Sequence, residues 1–156
     1  MNPIEVVLLQ FDGAWSHDWE SLRSALEGLS EEEANWQAPC YRSETAAGGW
    51  PLPGSVRWQV AHVAHYKREY AARLGSDPEA GSPDLPHRPS MSFAEDLAEL
   101  HAAHAAQRTA IERLDPGALT PAVAEFLSNT IRHDSWHAGQ IAIARRLYRE
   151  RERGRE

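Results

Sequence analysis

The sequence predicts an all-α fold, an antiparallel four-helix bundle with a long loop between the first and second helices, on three observations. Apolar residues recur at helical spacing in four separate segments. A serine or threonine stands just before three of them, where an N-cap belongs. No stretch alternates apolar and polar residues as a half-buried strand does. The 156 residues fit one domain, 1–156, long enough to bury a core without disulfides or a structural metal.

Helix 1 is expected from about Pro3 to Leu29, with Ile4, Leu8, Phe11, Trp15, Leu22, Leu26 and Leu29 on one face and Pro3 suited to a first turn. From Ser30 to Gly54 the pattern is broken by Pro39, Gly48, Gly49, Pro51 and Pro53, although Ser30 and Glu33 can box one short turn. Trp36, Tyr41 and Trp50 in that loop favour packing, so it reads as a cover over one end of the helices. Helix 2 begins near Ser55, buries Val56, Val60, Val63, Tyr70 and Leu74, and stops at Gly75. GSDPEAGSPDLPHRPS follows as a turn-rich linker. Helix 3 starts at Ser92, with Glu95 completing a capping box, and turns Phe93, Leu97, Leu100, His104, Gln107, Ile111 and Leu114 inward. Thr120 and Pro121 then open helix 4, which runs toward Arg149. The last residues, about 150–156 within RRLYRERERGRE, read as a fraying charged tail.

Composition removes several function classes. A formal charge of −7 opposes the clustered Lys and Arg that phosphate binding requires, so no nucleic-acid partner is expected. No apolar run reaches the roughly 18 residues of a membrane span, and the N-terminus is not a secretory signal. The single cysteine, Cys40, excludes an intrachain disulfide and agrees with a reducing cytoplasmic location.

The eight histidines carry the chemistry. In IRHDSWHAGQI, His133 and His137 are four residues apart, so both rings share one helix face and can reach one ion. His137 falls inside the apolar stripe of helix 4 and His133 at its margin. Two core-satisfied histidines would look the same, and a third ligand from another helix is what separates the readings. His62 lies on the flank of the helix 2 stripe, His104 faces inward, and His17 and His65 point away from the stripes of their own helices. HDSWH is also close to the HExxH of zinc peptidases, but Asp134 replaces the glutamate and almost nothing downstream supplies a further ligand. Asp134 lies near the middle of the stripe, where an unpaired carboxylate is costly. Either a hydrogen bond to a ligand imidazole, fixing its tautomer, or a salt bridge to an arginine from another helix satisfies it.

Two motifs resemble the DinB/YfiT-like superfamily of bacterial metal-binding four-helix proteins. SVRWQVAHVAHYKRE is similar to that family's second-helix signature, a Trp four residues before a ligand His, here Trp58 and His62. HDSWHAGQI is similar to its fourth-helix signature HxxxHxGQI, here His133, His137, Gly139 and Gln140. The resemblance covers essentially the whole chain. It implies a three-histidine site, His62, His133 and His137, for a divalent ion, nickel or zinc first and manganese or iron after them, with open coordination positions. One departure is the second histidine of HVAH, His65, which is an alternative or an addition to His62.

Three functions follow from the resemblance. The first is a metal-dependent S-transferase joining a low-molecular-weight thiol to a small electrophile in stress response or detoxification. The second is a non-catalytic metal or small-molecule binding stress protein. The third is a metal-dependent hydrolase with Asp134 as base. The expected partners are accordingly a small-molecule thiol and an electrophilic substrate, with homodimerisation open.

Overall fold

The computed structural model describes residues 2–41 and 44–155. Among them there are six α-helices and no strand: α1 (Pro3–Ser16), α2 (Leu22–Leu26), α3 (Glu31–Asn35), α4 (Val56–Ser76), α5 (Phe93–Glu112) and α6 (Pro121–Arg153). Four are long, α1, α4, α5 and α6, and these are the four segments that hydrophobic periodicity marks.

The helix starts are chemical. The side chains of Ser55, Ser92 and Thr120 accept the backbone N–H of Trp58, Glu95 and Val123, relieving donors that have no partner inside the helix. Ser30 does the same for Glu33 at α3, but the Glu33 carboxylate turns away to Arg145 of α6, 3.3 Å distant, instead of closing a box. Likewise Glu95 reaches back to the N–H of Met91, at 2.6 Å, one residue before the cap.

Three boundaries differ from the periodic reading. The expected first helix is interrupted after Ser16, and its remainder is the separate α2. Trp15 and Leu22 still both face the core, so a seven-residue spacing conceals the break. It occurs because Ser21 caps a new helix: its side chain accepts the N–H of Ser24, whose hydroxyl accepts from Ser21 in return. Gly75 does not stop α4, which continues to Ser76. α6 also extends past Arg149 to Arg153, held by pairs such as Arg146–Glu150 at 2.9 Å and by the Arg151 guanidinium 4.7 Å from the Tyr148 ring.

The core lies in two apolar clusters. One gathers Leu22, Val60, Val63, Leu100 and Ile141, and the other Phe11, Leu74, Ile111, Val123 and Leu127. Between them is a polar layer: the Lys67 ammonium donates to Asp134 Oδ2 at 2.6 Å and to Gln107 Oε1 at 3.2 Å, tying α4, α5 and α6 together. His104 belongs to the same level, its ring between Phe11 and Trp15 with centroids at 4.7 and 3.9 Å.

The loop before α4 does act as a cover. Trp36 packs edge-on against Tyr148 of α6, and Trp50 stacks on His87 of the later linker at 3.7 Å. Gly54 makes the closing turn with φ of +74°, and a Cβ there would collide with the Tyr41 ring. No helix among the described residues is long and apolar enough to cross a membrane.

Candidate metal centre

His62 projects from the second turn of α4, and His133 and His137 from successive turns of α6. Their Nε2 atoms converge: His133 to His62 is 3.3 Å and His137 to His133 is 3.1 Å. One ligand atom from each of the three lies within 4.8 Å of the others. Three nitrogens bound at about 2.1 Å to one tetrahedral ion would be about 3.4 Å apart, so this spacing fits a divalent metal.

Electrostatics fits it as well. Burial holds the His62 imidazole down to about 4, with His133 and His65 adding to the shift. Burial and the Lys67 charge hold His133 down to about 4, and burial with its two histidine neighbours holds His137 down to about 3. All three rings are therefore neutral at pH 7 and offer lone pairs.

The rings are also oriented. His137 Nδ1 is hydrogen-bonded to Gln59 Oε1 of α4. An amide oxygen only accepts, so Nδ1 carries the proton and Nε2 presents its lone pair to the centre. Trp58 stacks on His62 at 4.8 Å and 18°, while Tyr66 packs against both His62 and His133, at 4.7 and 5.4 Å.

The centre opens into a cavity of about 380 Å³, walled by Tyr41, Trp58 and Trp136, with Glu44 and Gln140 at its polar edge. Neither the Glu44 carboxylate nor the Gln140 amide has a hydrogen-bond partner among the described residues. The loop contributes Tyr41, Glu44, Pro53 and Gly54 to this lining, so the cover borders the site itself.

A model of the DinB superfamily matches residues 14–143. The chain belongs to the DinB superfamily. No curated protein and no solved structure matches it. DinB membership and the three-histidine cluster agree on a chain able to hold a metal ion.

In this DinB-superfamily chain the remaining histidines have other surroundings. His65 is not in the cluster, and it is not solvated as its helical position suggested. Trp50 covers it, and its Nε2 lies 3.3 Å from Glu69 Oε1. His104 is a packing residue, and His17 is exposed. Asp134 hydrogen-bonds neither to an imidazole nor to an arginine; Lys67 satisfies it. Burial pushes the Asp134 carboxyl up and the Lys67 ammonium down, and each opposes the other's shift. Sequence reasoning missed two residues here. Lys67 follows Val60 and Val63 by seven and four positions, so its place on the buried stripe was readable. Gln59 carried no signal, because an amide on a helix flank has no pattern of its own.

Proposed function

We propose that this chain is a divalent-metal enzyme, a thiol S-transferase that joins a low-molecular-weight thiol to a small electrophile. In this reading His62, His133 and His137 are the ligands, nickel or zinc is the resident ion, the four long helices form an antiparallel bundle, and the setting is cytoplasmic stress response or detoxification in a bacterium. The observation that carries it is the convergence of three neutral Nε2 lone pairs on the floor of an open, aromatic-walled cavity. A divalent ion held there supplies Lewis acidity, which lowers the pKa of a coordinated thiol from about 8.5 so that it is thiolate at neutral pH.

The chain's own residues do the rest. Gln59 keeps His137 in the ligating tautomer. Trp58, Trp136 and Tyr41 shield an apolar electrophile from water, and Glu44 and Gln140 line the cavity where they can bond its polar substituents or those of the thiol. With a haloarene, the thiol proton goes to solvent, a carbon–sulfur bond forms and halide leaves. Hydrolysis with Asp134 as base has less support, because that carboxylate is 1 % exposed, is bonded to Lys67 and does not line the cavity.

Metal analysis of the purified protein and of the three His→Ala variants tests the site. Conjugation of a haloarene or epoxide by metal-loaded protein, with bacillithiol, mycothiol, glutathione or coenzyme A, tests the reaction. Metal-dependent conjugation lost in His137→Ala supports the proposal. A filled site with no turnover across the panel overturns the transferase reading in favour of a binding protein.

A further inference from the structure

The middle of the cover loop is held down at one point. Residues 44–49 are all exposed, and Trp50 is the first side chain after them that is partly buried. The Gln37 amide donates to the carbonyls of Glu44 and Pro53, both at 3.0 Å, and so pins the two ends of this segment together. Between those ends the hydrogen bonds among the described residues are turns of the loop itself, Trp50 N–H to Ala47 and Ser55 to Leu52, with a single exception. His87 Nε2 donates to the Gly49 carbonyl at 3.2 Å, and its ring stacks on Trp50 at 3.7 Å and 15°. One side chain of the linker supplies both contacts.

That side chain stands on a fixed support. On either side of it α4 grips the linker: Glu69 accepts the Leu85 N–H at 3.1 Å, Arg68 donates to the Pro86 carbonyl at 2.9 Å, and Arg57 donates to the Ser90 carbonyl at 2.9 Å. The loop beside Trp50 has no such grip, and Gly48 and Gly49 precede the ring at φ of +60° and +80°, so no side chain stiffens the backbone there. One neutral hydrogen bond and one aromatic pair together shift an opening equilibrium by only about 10- to 100-fold. What they hold is placed against a candidate ligand. Trp50 lies 6.5 Å from the His62 ring, 6.4 Å from Trp58, which stacks on His62, and 5.5 Å from His65.

We propose that residues 45–50 are a flap that opens and closes the His62 side of the candidate metal centre, with His87 as its catch; the gating role rests on the three histidines being the working site. Closed, the indole covers the flank of His62. Open, it leaves that flank to incoming molecules, while Gln37 keeps the base of the flap in place. A bulky ligand then reaches the centre no faster than the catch lets go.

Fluorotryptophan incorporated into the full chain gives Trp50 a fluorine resonance, identified by its loss in Trp50→Phe. His87→Ala should move it toward the resonance of Trp19, which is 85 % exposed, and His87→Phe, which keeps the stack and loses the donor, should move it less. A Trp50 resonance unmoved in His87→Ala overturns the flap, with or without metal. Gating is read from the transfer of bound zinc to a bulky chelator: His87→Ala should speed it by about 10-fold and leave equilibrium zinc affinity within about three-fold of the parent. A lock reads the opposite direction. A Cβ at Gly49 would lie 3.4 Å from Pro89 Cβ, within about 0.5 Å of ordinary disulfide spacing. In Gly49→Cys/Pro89→Cys with Cys40→Ser, oxidation should slow zinc transfer by about 10-fold and reduction by a phosphine should restore it, any strain at residue 49 being common to both forms. Transfer rates indifferent to His87→Ala and to the lock overturn the gate. A chain that takes up no zinc overturns the gate together with the metal-enzyme reading, and the Trp50 resonance tells that failure apart from a fixed loop.

Discussion

Gln59 of α4 and His137 of α6 are hydrogen-bonded across the interface of the two helices that carry the three converging imidazoles. Removing this bond while leaving all three rings in place isolates what orientation contributes. Gln59→Leu is expected to weaken metal affinity by about 10- to 100-fold. Chelator competition reads the affinity, and an unchanged value would show that packing alone orients His137.

The buried pair Lys67–Asp134 separates support of the fold from support of the centre. Lys67→Met leaves a carboxylate without its partner and is expected to cost about 3–5 kcal/mol. Adding Asp134→Leu should return most of that loss, because an apolar pair fills the same space. Denaturant titration of both variants reads the effect. Equal destabilisation in single and double variants would contradict the account. Metal affinity in Asp134→Asn should stay within a few-fold of the parent, since the carboxylate bonds Lys67 and not an imidazole.

His104 makes stability depend on pH. Burial holds its pKa down to about 3, against 6.5 when unfolded, so between those values the unfolded chain binds a proton that the folded chain does not. The full stability is present above about pH 6.5 and falls as pH drops toward 3, by at most about 1.4 kcal/mol per pH unit from this residue. His104→Phe keeps the stack on Phe11 and Trp15 and removes that share. Denaturation midpoints at several pH values, in chelator, should show a shallower decline in the variant. Parallel curves would refute the assignment.

Gly54 holds φ at +74° against the Tyr41 ring. Gly54→Ala adds both strain and a collision, so a loss of about 1–3 kcal/mol is expected. Because Tyr41 walls the cavity, small-molecule binding should weaken with it while metal affinity holds. A variant as stable as the parent would mean that the loop can be rebuilt without this turn.

Several features are legible in the sequence itself. Ser55, Ser92 and Thr120 marked the helix starts because capping is local, and the i, i+4 spacing of His133 and His137 put both rings on one face for the same reason. His62 was harder: its flank position permitted an inward reach without requiring it, and motif resemblance, not periodicity, singled it out. The break at Ser16 escaped notice because Trp15 and Leu22 stay in phase across it. His65 was misjudged because its cover comes from Trp50, fifteen residues upstream in a loop whose path no helical wheel describes. Lys67 as the partner of Asp134 joins residues 67 positions apart, a separation at which only tertiary packing decides.

The polar layer between the two apolar clusters also fixes when the centre comes into being. Sliding α6 along α4 by one turn, about 5.4 Å, would bring Asp134 level with Val63 or Tyr70 and leave two charges facing hydrocarbon. The helices are thus keyed to a single alignment, and that alignment already sets His133 and His137 opposite His62. Folding thus brings the three imidazoles together without help from an ion, so a metal held there would meet a finished receptor, and its removal is expected to leave the helices standing.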